Sequence, residues 1–134
     1  MGFLRTLVGN AASLLRPLRQ GDGILANISV VEVTTDTNQT LSIEQIAGGA
    51  INYTGFTAGR NLTTPTAAQI LAAYPDMDIG DSFSFLVSIQ DGFAGTWVAG
   101  DSVTLRGRAT TPASSWSWVV VTRNSTTGVT WRVL

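Results

Sequence analysis

Arg60 to Phe85 reads RNLTTPTAAQILAAYPDMDIGDSFSF, and the fold is decided here. Thr66 is a good helix N-cap, and Gln69 stands three residues later, where a capping box places Glu or Gln. Ala67 to Ala73 supply strong helix formers. Pro75 ends the helix, because the residue before a proline is pushed out of the α region. Asp76 to Asp81 make a polar turn containing Gly80. Phe83, Phe85, Val87 and Ile89 then alternate with Ser82, Ser84, Ser88 and Gln90. That period of two predicts a strand with one face buried and the other mostly polar.

Further strands are expected on both sides. Ile24 to Val33 is rich in β-branched residues. Thr34 to Thr40 reads as a turn or edge strand, and Leu41 to Ile46 as a short helical turn closed by Gly48-Gly49. Ala50–Tyr53, Arg60–Thr63, Thr96–Ala99, Val103–Arg108, Ser115–Arg123 and Val129–Val133 are strand candidates. Asp91-Gly92-Phe93-Ala94-Gly95 has the composition of a hairpin loop. Short strands separated by turn signals point to an all-β body, a β-sandwich or jelly-roll-like fold with one short helix, over residues 24–134. The helix is expected to plug one end or cover an open edge. No internal repeat is evident.

Trp116 and Trp118 share a strand face with Val120, while Val119 and Val121 load the other. Such a strand is central in the core or pressed against another subunit. The core reading is the expectation for the tryptophans, with an interface as the alternative.

Residues 1–23 form a separate N-terminal arm. Leu4, Leu7, Ala11, Leu14 and Leu18 follow a 3-4-3-4 spacing, the seam pattern of a coiled coil. Phe3, Val8 and Leu15 widen the stripe. Gly9 and Pro17 weaken a helix there, so helix and irregular arm both remain open. Either form needs a partner. Arg5, Arg16 and Arg19 give the arm positive charge with no acid before Asp22, which suits an acidic protein surface. Gly21-Asp22-Gly23 is the hinge.

The 134 residues suit one domain, and only 13% are charged, about half the usual share. Either Thr, Ser and Asn solubilise the surface, or neighbours cover much of it. There is no Cys, His or Lys. Disulfides, thiolate nucleophiles, histidine bases and lysine Schiff bases are therefore excluded. No nucleotide-binding or nucleophile-elbow motif is present, and neither an enzymatic activity nor a cofactor is expected. Asp76, Asp78 and Asp81 are the one acidic cluster, but their spacing is not that of a calcium loop. Asp81 accepting local backbone N–H groups in a solvated turn is the expectation. Arg106 and Arg108, two apart, are expected on one strand face, too few for a nucleic-acid patch. A net charge of −1 argues the same way. No apolar run is long enough to span a membrane as a helix.

The ordered succession of capped helix, proline, GDSF and AG-VTL resembles a β-sandwich domain of structural proteins in tailed phages and large DNA viruses. The matching residues are Leu62, Pro65, Thr66, Ala67, Ala68, Ile70, Leu71, Pro75, Gly80, Asp81, Ser82, Phe83 and Phe85, then Val98, Ala99, Gly100, Val103, Thr104, Leu105 and Gly107. The resemblance covers about residues 34–134. It implies a capsid decoration (cement) protein on the outer surface of a virion. Its partners would be the major capsid protein and further copies of itself, a trimer before a dimer, without nucleic acid or membrane. The arm would then tie neighbouring capsid subunits, with Phe3, Leu4, Arg5, Leu7, Leu14, Leu15, Arg16, Leu18 and Arg19 as partner-binding residues. The alternative is a receptor- or glycan-binding module of a head or tail fibre, contacting its ligand through Tyr53, Phe56 and Phe93.

Overall fold

The computed structural model describes residues 28–134. The elements run β1 (Ser29–Val33), β2 (Gln39–Thr40), α1 (Ile43–Ala47), β3 (Gly49–Tyr53), β4 (Arg60–Thr63), α2 (Ala67–Ala73), β5 (Ser82–Ile89), β6 (Gly95–Val98), β7 (Val103–Gly107), β8 (Thr110–Thr111), β9 (Ser115–Arg123) and β10 (Val129–Val133). They make two sheets, one of six strands in the order β1-β3-β5-β9-β10-β7 and one of four in the order β2-β4-β6-β8.

From β1 to β9 the chain changes sheet at every strand, odd-numbered strands joining the larger sheet and even-numbered strands the smaller. As far as β6, each return places a strand beside the one laid down two strands earlier. The neighbours β1/β3, β3/β5, β2/β4 and β4/β6 are consequently parallel. Among the described strands only β9 and β10, consecutive and antiparallel, form a hairpin within one sheet. The loop Asp91–Gly95 is therefore not a hairpin loop: it carries the chain from β5 in the larger sheet to β6 in the smaller. Its anchors belong to other loops. Asp91 accepts the Phe56 N–H at 2.7 Å through its carboxylate and the Ser114 N–H at 2.8 Å through its carbonyl. Gly95 leaves room for Leu62, whose Cδ1 would stand 2.5 Å from an added Cβ.

Among the described residues two short helices are present, not one. Each occupies a crossing from the smaller sheet to the larger, α1 between β2 and β3, α2 between β4 and β5. Both open on a complete capping box. Ser42 accepts the Gln45 N–H while Gln45 accepts the Ser42 N–H, and Thr66 and Gln69 do the same. In each case the next residue is a buried isoleucine, Ile46 or Ile70. The motif Ser/Thr-x-x-Gln-Ile thus recurs and starts the same structural device on successive turns of the chain. α2 stops at Ala73, with Tyr74 already outside helical geometry ahead of Pro75.

Side chains from both sheets meet in one core. Phe85, Val87 and Ile89 of β5, Val119 and Val121 of β9, and Val129 and Trp131 of β10 enter it from the larger sheet, Leu62 and Trp97 from the smaller. Trp131 packs edge-on against Phe85 at 5.3 Å between ring centroids. Ile46, Ala67 and Ile70 bring both helices into the same cluster. Met77, inside the polar turn, is also fully buried. Arg123 closes that turn by donating to Met77 O at 2.6 Å.

One polar network ties the crossings together. Asp36 accepts from the Thr57 N–H and hydroxyl and from Arg60 Nε and Nη2, the last two at 2.9 and 2.8 Å. These bonds, those from Thr57 first, hold the Asp36 carboxyl at about 2, below its ordinary 3.8.

Candidate functional site

The stretch Ser115-Trp116-Ser117-Trp118 carries the exposed indoles among the described residues. Alternation along β9 puts one residue type inside and the other outside. Ser117 is fully buried, whereas Trp116 is 56% and Trp118 44% exposed. The expectation that the two tryptophans fill the core is therefore wrong. Val119 and Val121, both fully buried, set the parity of the strand. Ser117 does not enter the core unpaired. Thr111 of β8 donates to its hydroxyl at 3.0 Å, and Trp97 Nε1 donates to Thr111 at 3.1 Å. Trp97 of the smaller sheet, itself buried, is thus linked to Ser117 through the Thr111 hydroxyl.

The strand register shows what surrounds the exposed indoles. Trp118 lies opposite Leu86 of β5, Leu86 beside Ala50 of β3, and Ala50 beside Val30 of β1. Leu134, just past β10, donates its N–H to Trp118 O at 2.9 Å. Val30, Ala50, Leu86, Trp118 and Leu134 thus form an apolar row five strands wide on the outward side of the sheet, in which Ala50 is itself buried. Four spacings of about 4.8 Å make it about 19 Å long. Val30 and Leu134 are more than half exposed at its two ends.

Different rows flank it. On one side the register aligns Glu32, Asn52, Ser88 and Trp116, with Asn52 Nδ2 donating to Glu32 at 2.9 Å. On the other it aligns Ser84, Val120, Arg132 and Arg106. The row beyond is polar, Ser82, Thr122, Thr130 and Thr104. The outward positions of the smaller sheet are mainly Asn61, Thr63, Thr96 and Thr110, with Val98 the exposed apolar exception. Exposed aromatic surface is thus concentrated on one of the two outer faces. A contiguous apolar band with a polar rim is the usual signature of a contact surface.

The other candidates stand as follows. The nine arm positions Phe3, Leu4, Arg5, Leu7, Leu14, Leu15, Arg16, Leu18 and Arg19 lie outside the described residues, as does the Gly21–Gly23 hinge. Tyr53 and Phe56 do not present their rings to a ligand: they stack at 5.2 Å and are buried. Burial also pushes the Tyr53 hydroxyl well above the ordinary phenol range. Phe93 is 42% exposed on the β5–β6 crossing. Asp81 accepts the Asp78 N–H at 2.9 Å, the local turn bond expected of it. Among the described residues no three acids converge as metal ligands. β7 ends at Gly107, whose φ of +82° breaks the extended run, so the alternation argument reaches Arg106 but not Arg108.

Sequence reasoning placed Trp116, Trp118 and Val120 on one face and chose the wrong side for it. The signal that decides the side is the alternation continued through Val119 and Val121. Two β-branched residues on one face fix the core more firmly than two indoles that tolerate partial exposure.

Comparison with protein-family models, with curated proteins and with solved structures finds no match for this chain.

Proposed function

We propose that this protein is a structural virion component, a capsid decoration (cement) protein that binds the outside of a shell and is held there with further copies of itself. In this reading the body is a β-sandwich, the two sheets being its layers around the shared core. The observation that carries the reading is the outward apolar row Val30–Ala50–Leu86–Trp118–Leu134, a contact surface on a β-rich body. The resemblance of residues 34–134 to phage and large-virus structural domains points the same way. So does the charged share of 13%, which suits a surface largely covered by neighbours.

The mechanism is mechanical. The arm, residues 1–23, lies across adjacent capsid subunits, its leucines buried and Arg5, Arg16 and Arg19 paired with acidic groups. At about 25 cal/mol per Å², a few buried leucines per copy contribute several kcal/mol before ordering costs. Repetition over the shell makes weak individual contacts multivalent. Residues 24–134 face outward, with neighbouring copies in contact. The fibre-module alternative is weakened, because two of its three aromatic contact residues, Tyr53 and Phe56, are buried.

Deleting residues 1–20 tests the reading. The truncated protein should keep the circular dichroism of the full chain and fail to co-sediment with capsids that the full chain decorates. Co-sedimentation by the truncated protein contradicts the arm as anchor.

A further inference from the structure

The outward face of the six-stranded sheet has a charge arrangement that matches a rotated copy of itself. Its centre is the cross-strand pair Leu86–Trp118. Glu32 lies on β1, two strands out from β5, in the row of Ser88 and Trp116. Arg106 lies on β7, two strands out from β9 on the other side, in the row of Val120 and Arg132. Those rows flank the central row on opposite sides. Glu32 and Arg106 therefore sit at equal offsets, in opposite directions, from the Leu86–Trp118 pair.

We propose that this face is a two-fold self-association surface, in which the outward sheets of two copies stack and Glu32 of each meets Arg106 of the other. This deepens the decoration reading by naming the surface through which copies join. It departs from the trimer that the family resemblance favours. A two-fold axis in the plane between the sheets, perpendicular to the line from Glu32 to Arg106, exchanges the two residues. The same operation lays Leu86 and Trp118 of one copy over Trp118 and Leu86 of the other. Isologous contact of this kind needs a patch complementary to itself.

The chemistry of the patch fits. The apolar centre is desolvated on stacking, and aromatic anchors near the centre dominate such contacts. The acid and the base lie at opposite corners, where partial solvation keeps the cost of burying charge low. Arg132, beside Arg106, has no carboxylate partner among the described residues and faces the same approaching Glu32. Sheets stacked face to face sit about 10 Å apart, which accommodates the indoles of Trp116 and Trp118. A shift by one row toward the start of β7 would put Glu32 opposite Thr104 in place of Arg106, so the charges also bear on the alignment.

The test is sedimentation velocity of the full chain over a range of concentrations, with circular dichroism as the check that each variant is folded. Wild type is expected to dissociate from dimer to monomer on dilution. W118S should raise the dissociation constant at least tenfold. E32R and R106E should each weaken association severalfold, and the combined E32R/R106E chain should recover it, because the swap rebuilds both pairs. A chain that is monomeric throughout contradicts the proposal, whether the face is bare or covered by its own residues 1–27. A trimer indifferent to these four variants contradicts it equally. Capsid binding is read separately. A monomeric W118S that still co-sediments with capsids leaves the decoration reading standing, and a dimer that ignores capsids removes that reading while keeping the dimer.

Discussion

Trp97 and Trp131 meet across the gap between the two sheets, their ring centroids 5.6 Å apart and their planes inclined by 52°. One comes from β6 of the smaller sheet and the other from β10 of the larger. The chain thus divides its four tryptophans, two closing the core and two, Trp116 and Trp118, standing outside it.

That division gives a sharp contrast in stability. Trp131→Ala or Trp97→Ala should each cost about 3–5 kcal/mol, the loss expected for a buried aromatic. Trp116→Ala or Trp118→Ala should change the stability of the isolated subunit by only about 0.5 kcal/mol. Urea unfolding at the lowest workable protein concentration measures both, since association would add a concentration-dependent contribution. Equal losses at all four positions would contradict the assignment of faces.

The Asp36 network gives a pH dependence whose sign is fixed. Its carboxyl is held at about 2, against 3.8 ordinarily, by Thr57 first and Arg60 after it. A depressed carboxyl stabilises the fold above its unfolded value, and that contribution is lost as pH falls through the folded value. Asp36→Asn should therefore lower Tm at neutral pH. The difference from wild type should shrink from about pH 4 downward and vanish only below about pH 2. The Asp36 and Arg60 side chains are 31% and 25% exposed, so added salt should weaken the Arg60 part. A difference that stays constant down to pH 2 contradicts this account.

The capping boxes act locally. Thr66→Ala and Ser42→Ala should each destabilise by about 1 kcal/mol, with amide exchange rising first in α2 or in α1 respectively. Exchange that rises uniformly over the body would contradict a local role.

Much of the strand content was legible in the sequence. β5 and β10 alternate cleanly, and Thr66, Gln69 and Pro75 bound α2. The cap of α1 carries the same signal in Ser42 and Gln45, so the second helix was readable as well. The topology was not. A Gly-containing loop such as Asp91–Gly95 has one composition whether the chain turns back within a sheet or crosses to the other. What separates the cases is the pairing partner of β6, and β6 pairs with β4 and β8, not with β5. The face of Trp116 and Trp118 was hidden for a related reason. β9 is apolar on both sides, and the side carrying Val119 and Val121, not the side carrying the bulkier indoles, is the one turned inward.

The measurement that bears most directly on the central claim is the number of copies of this chain per purified virion, counted against the major capsid protein by quantitative mass spectrometry. The decoration reading predicts a ratio of about one, or a simple fraction such as about one third, as repeated occupation of a symmetric shell requires. A handful of copies per particle, or none, would contradict it.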